Sequence, residues 1–182
     1  MRLLAPMASR IVEAFQEMED PRKSNATRHD FAEMLTLAVI AVICGDETCV
    51  DMENFSKTHK DFLHTFLELK YGIPSHDAFS RLFRILDPEA FEEALLKLAD
   101  MFNHHLPDSV GKIDTDSLVR RFNQPSRKSS IYLLNVFGLS ARTIFQRSPG
   151  AEEQSTPATV AMIPSGLQQF CTRTSGEAVE RA

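Results

Sequence analysis

Apolar residues recur at helical spacing through the first hundred positions of this chain. Ile11, Ala14, Phe15 and Met18 make a short stripe within Arg10 to Glu19, stopped by Asp20-Pro21. The polar stretch DPRKSNATRHD predicts a connector, with Asp30 placed to cap the next helix. From Phe31 to Cys44 the chain is apolar nearly all round, the mark of a buried central helix, and Gly45 is a natural stop. A third helix is predicted from about Val50 to Leu69, with Phe55, Phe62, Phe66 and Leu69 inward and Lys57, Lys60 and Asp61 in water.

The pattern is sharpest in GIPSHDAFSRLFRILDP, from Gly72 to Pro88. Pro74 stiffens a turn, Ser75 is a good N-cap, and Asp77 sits where a negative charge suits the helix dipole. Phe79, Leu82, Phe83 and Leu86 fall at i, i+3, i+4 and i+7, which is a core face. His76, Ser80, Arg81 and Arg84 are left outward. Two readings of that outer face stand: a solvated surface, or one that docks against phosphates. Asp87 caps a further helix with Pro88 in its first position, packed through Phe91, Leu95, Leu98 and Phe102.

Beyond HHLPDSVGK the pattern turns strand-like. KIDTDSLVRRF alternates in part, SSIYLLNVFGL is a stronger β run, and ARTIFQR is a third short one. The expected fold class is therefore α+β, with about five helices over residues 1–106 followed by a β-meander over 107–147. From Ser148 the periodicity dissolves, and 148–182 reads as an irregular or disordered tail.

Charge and cysteine content narrow the picture. The net charge is −5, which argues against indiscriminate nucleic-acid binding. Between Lys112 and Arg147, however, Arg120, Arg121, Arg127, Lys128 and Arg142 face only Asp114 and Asp116, and local charge decides contact with phosphates. The longest apolar run, Met34 to Cys44, is interrupted by Thr36 and falls short of the roughly 20 residues that span a bilayer. The 3 cysteines form no disulfide framework, so a reducing cytoplasm is the expected compartment and no membrane partner is expected. There is no P-loop, dinucleotide fingerprint, zinc spacing or recognisable nucleophile.

Asp114, in GKIDTDSLVRR, is the most suggestive polar position. A carboxylate at a strand end with basic residues downstream can hold a hard divalent cation near phosphate. An Asp in such a place is also an ordinary turn-former or solvated charge. Two-metal phosphoryl transfer needs further carboxylates converging on the same spot, and Asp116 is the nearest in sequence.

DPR at Asp20 to Arg22, LTLAVIAVICG from Leu35 to Gly45, and above all GIPSHDAFSRLFRILDP resemble the H-repeat-associated (ISAs-type) insertion-sequence transposases. The resemblance covers about residues 10 to 147 and is specific in the helical part. It implies a helical associated domain leading into an RNase H-like catalytic domain of the DDE type. Where the family has Ile-Asp-Gly-Lys-Thr-Leu-Arg and a basic strand, this chain matches at Ile113, Asp114, Leu118, Arg120, Phe122 and Lys128. Asp114 would stand for the first of three acidic residues that hold two Mg²⁺ ions in the intact family. Thr115 and Asp116 depart from the usual glycine and lysine, and TPAT at Thr156 to Thr159 departs from Lys-Ser-Asn-Glu.

By the same resemblance the sequence stops at Ala182 before the family's second and third acidic residues. One carboxylate cannot hold two ions, so no functional Mg²⁺ and no catalysis are expected of the chain alone. The reading is a truncated, inactive transposase with Asp114 as a remnant metal ligand. Its candidate contacts to DNA at transposon ends are Arg81, Arg84, Arg120, Arg121, Arg127 and Lys128. The alternative is a helical module that binds DNA or full-length transposase and regulates it.

Overall fold

The computed structural model describes residues 4–22, 27–105, 111–123 and 129–146, with side chains for 9–22, 27–105, 111–123 and 129–142. Arg127, Lys128, the linker around Pro107 and the tail from Ser148 lie outside these residues. Eight helices make up the described part: α1 (Leu4–Gln16), α2 (Phe31–Cys44), α3 (Cys49–Thr58), α4 (Lys60–Leu63), α5 (His76–Ile85), α6 (Pro88–His105), α7 (Thr115–Phe122) and α8 (Ser130–Gln146).

Helix α2 is the axis around which the others gather. Twelve of its 14 residues are buried, because α1, α3 and α8 cover it from different sides. Asp30 caps its start, its side chain accepting from the Glu33 N–H. At its end Gly45 takes φ 115, its N–H reaching the Val42 carbonyl while the Asp46 N–H reaches that of Ala41, a Schellman stop that only glycine adopts cheaply. Aromatic pairs join the outer helices. Phe91 of α6 stacks on Phe15 of α1 with centroids 6.2 Å apart and meets Phe83 of α5 at 6.3 Å. Phe102 of α6 stacks on Phe137 of α8 at 6.3 Å.

The long third helix predicted to Leu69 is instead broken. Ser56 and Thr58 each bond back to the carbonyl four residues earlier, which bends a helix, and α3 ends at Thr58. After the short α4 the chain turns out of helix, and Leu69 adopts φ 46. Helix α5 begins at His76 behind its Ser75 cap and α6 at Pro88, as the capping residues indicate, and Phe79, Leu82, Phe83 and Leu86 are all buried.

The larger correction concerns the second part. No strand occurs among the described residues, so the expected α+β fold with a β-meander and RNase H-like opening strands is overturned. KIDTDSLVRRF is an extended piece followed by α7. Asn103 of α6 holds the extended piece by a two-way bond to Ile113, with Nδ2 donating to its carbonyl at 2.9 Å and Oδ1 accepting from its N–H at 2.7 Å. Leu118 and Phe122, four apart, then turn inward at 0% exposure.

The two runs predicted as strands fall in one helix, α8, from Ser130 to Gln146. Leu133, Leu134, Phe137 and Ala141 are its fully buried stripe, at helical spacing. The run reads as strand because α8 packs on α2, α5, α6 and α7, and a helix covered on several sides loses its polar face. Gly138 lets α8 approach α2: a Cβ there would lie 2.7 Å from the Val42 Cβ and 3.0 Å from the Val42 carbonyl oxygen.

Candidate nucleic-acid interface

Arg81 and Arg84 stand on the exposed face of α5, opposite its buried apolar stripe. Each is tethered along the helix. Arg81 Nε donates to the Asp77 carbonyl at 3.2 Å and Arg84 donates to the Ser80 hydroxyl at 3.3 Å. The start of α5 is fixed to α3, since Glu53 accepts from the His76 N–H at 2.6 Å and pairs with its ring at 2.8 Å. Glu53 also pairs with Lys57 at 2.6 Å. Hydrogen bonds from Lys57 and His76 hold the Glu53 carboxyl down at about 2.

Arg120 and Arg121 are exposed in the last turn of α7. They are brought beside each other but form no patch with Arg81 and Arg84 that any described contact links. Asp114 is the N-cap of α7: its Oδ1 accepts from the Ser117 N–H at 3.0 Å, and its Oδ2 lies 3.9 Å from Arg120 at an exposed position. Such an exposed ion pair contributes little to stability. Among the described residues no group of three or more His, Cys, Asp or Glu side chains is arranged to hold a metal ion. One Asp114 carboxylate oxygen is spent on the helix and the other faces a cation.

A second charged site lies where the connector into α2 meets the turn after α4. A cleft of about 650 Å³ opens between the chain leading into α2 and the turn after α4, floored by Val12 and Phe15 of α1. Arg22 lines it with its side chain only 16% exposed. Asp20 clamps that guanidinium from Nε at 2.8 Å and from the terminal nitrogen at 2.7 Å, and Phe31 lies beneath it at 5.6 Å. Partial burial pushes the Asp20 carboxyl up, but the Arg22 bonds outweigh it and leave the group below its ordinary value. Burial, with Arg22 and Arg28 adding, lowers the pKa of His29 against the opposing influence of the Gly72 backbone and Glu33. Glu33 holds the far wall, accepting from the N–H groups of Glu68 at 2.7 Å and Leu69 at 3.0 Å. Among the described residues no helix is long and apolar enough to cross a membrane.

Residues 12–99 match the DDE_Tnp_1-associated family model. The chain is 34% identical over 73 residues to the inactive transposase YbfQ of Escherichia coli K12, covering 40% of this chain and 87% of that protein. It is 29% identical over 130 residues to the "H repeat-associated putative transposase YbfD" of the same organism, 70% of this chain and 51% of that one. An uncharacterized protein in the dhlA 3′ region of Xanthobacter autotrophicus is 32% identical over 135 residues, 71% of this chain and 44% of the other. The chain spans about half the length of these longer curated relatives. No solved structure matches. The chain belongs to the H-repeat-associated transposases, and corresponds to the N-terminal part of that family of mobile-element proteins.

Proposed function

We propose that this chain is the DNA-contacting helical module of an insertion-sequence transposase and does not itself cut DNA. Family membership supports a DNA partner, and the exposed arginine pairs of α5 and α7 are suited to meeting phosphates. The observation that carries the non-catalytic part is the use of Asp114. Its carboxylate caps α7 and faces Arg120, so it acts as a structural residue where the resemblance expects a metal ligand. A regulatory role, through transposon ends or a full-length transposase, is the form in which a binding module without chemistry acts.

The test is binding of a DNA duplex as salt is raised. Each arginine that neutralises a phosphate contributes roughly 0.9 to the slope of log affinity against log salt. Replacing Arg81 and Arg84, or Arg120 and Arg121, by Ala is expected to weaken binding and flatten that slope. An unchanged slope in both pairs would sink the assignment of these faces. Duplex nicking in Mg²⁺ that Asp114→Ala abolishes would sink the non-catalytic reading.

A further inference from the structure

Beside the corner where α2 gives way to α3, α8 closes a small cavity of about 190 Å³. Val42, Tyr132, Val136 and Leu139 make its apolar wall, while Asp46 and Asn135 bring polar groups into it. Asn135 is fixed in place. Its Nδ2 donates to the Glu47 carbonyl at 3.1 Å, one residue along from Asp46. Its Oδ1 is buried with no hydrogen-bond partner among the described residues, and Asp46 Oδ2 is buried in the same condition. Two acceptors from two elements thus share one cavity, and leaving a buried acceptor unpaired costs free energy.

One proton satisfies both. An ionised carboxylate only accepts, whereas its protonated form donates one O–H and can bond to an amide oxygen. We propose that Asp46 and Asn135 form a proton-operated lock between the α2–α3 corner and α8, in which Asp46 Oδ2 takes a proton from solvent and donates to Asn135 Oδ1. The carboxylate loses its charge, one O–H···O bond forms, and no other group changes protonation. The surroundings favour that form. Burial is the largest influence on Asp46, Asp51 of α3 adds to it and Arg142 of α8 opposes, and the balance sits at about 6. The Glu47 carboxylate, the Cys44 thiol and the Tyr132 phenol line the same corner. Glu53 of α3 fixes the start of α5, and α7 packs on α8. The lock therefore tightens the frame that carries both exposed arginine pairs, whether or not those arginines meet DNA.

Carboxyl-carbon chemical shifts of the full chain, followed by NMR as pH is varied, give the titration of Asp46 directly. It is expected at about 6, against an ordinary 3.8. Asn135→Leu keeps the bulk and the burial but removes the acceptor, so the value is expected to fall by about 1. A value in Asn135→Leu equal to or above that of the wild type means that burial alone raises Asp46, and overturns the lock. A wild-type Asp46 that titrates at 3.8 overturns it as well. Hydrogen exchange of the α8 amides, corrected for intrinsic rates, is the second measurement. Protection roughly tenfold greater at about pH 5 than at about pH 7.5 is expected, the linkage of one proton held at about 6 rather than 3.8. Asp46→Asn keeps a donor at every pH and is expected to hold the acid level of protection throughout. Asp46→Leu, neutral but without a donor, is expected to lose it. Equal protection in these two variants overturns the lock even where Asn135→Leu does not fold.

Discussion

Two carboxylates show how position alone sets the sign of a residue's contribution. Burial, with Asp51 adding and Arg142 opposing, pushes Asp46 up to about 6. Its Oδ2 is buried without a hydrogen-bond partner. The unfolded chain gives up that proton near 3.8, so between those values the folded protein holds the extra proton. Stability conferred by that proton is complete below 3.8 and lost as pH rises to about 6. Asp46→Asn should therefore flatten this part of a denaturation-midpoint profile, and an unaltered slope would refute the assignment. Glu53 runs the other way. Held at about 2 against an ordinary 4.5, it stabilises fully above 4.5, and the contribution fades as pH falls towards 2. Glu53→Gln should be the weaker protein at neutral pH and should converge with the wild type in strong acid.

Gly138 makes a residue-scale argument from space. Alanine in a helix gains up to about 1 kcal/mol over glycine. Here the added Cβ would press on Val42, itself 2% exposed, with Cγ2 at 2.8 Å and backbone oxygen at 3.0 Å. Overpacking of this kind costs about 1–3 kcal/mol, so crowding outweighs propensity. Gly138→Ala is expected to lower the urea midpoint. Adding Val42→Ala should recover part of the loss, because the two changes share one contact. A midpoint in Gly138→Ala equal to or above that of the wild type would show that the crowding does not outweigh helix propensity.

At the scale of elements, starts and stops are the most legible feature of the sequence. Asp30, Gly45, Ser75 and Pro88 mark real boundaries because capping is decided within a few residues by groups that no distant contact can replace. What fails is telling helix from strand in the apolar run of α8, where tertiary cover from four helices removes the polar face that would mark the helical period. Asp114 belongs to both lessons. As an Asp ahead of Leu118 and Phe122 it has the look of an N-cap, yet the resemblance draws it towards a metal role. If the cap is its work, Asp114→Ala costs about 0.5–2 kcal/mol and Asp114→Asn almost nothing. Equal losses from both, measured by chemical denaturation, would mean that its charge rather than its hydrogen bond is what matters.

For the molecule as a whole, the arginines of α5 could be named from the sequence because they share one helix with the stripe that orients them. The cleft could not. Arg22, Arg28 and His29 come from one connector, while Lys70 and Tyr71 come from another turn. Only the fold around α2 brings them together, and no local period encodes it. The same architecture implies uneven stability. Helix α2 is wrapped by α1, α3 and α8, so its amides can open only when those contacts are lost. Helix α7 is 8 residues long, packs on α6 and α8 through Leu118 and Phe122, and is entered through Gly111 at φ 87. Native-state hydrogen exchange should find α2 exchanging through global unfolding and α7 through a cheaper local opening that low denaturant barely affects. If α7 amides match those of α2 in protection, α7 and α8 fold as one unit with the core. The exposed arginines of α7 would then be held as rigidly as those of α5.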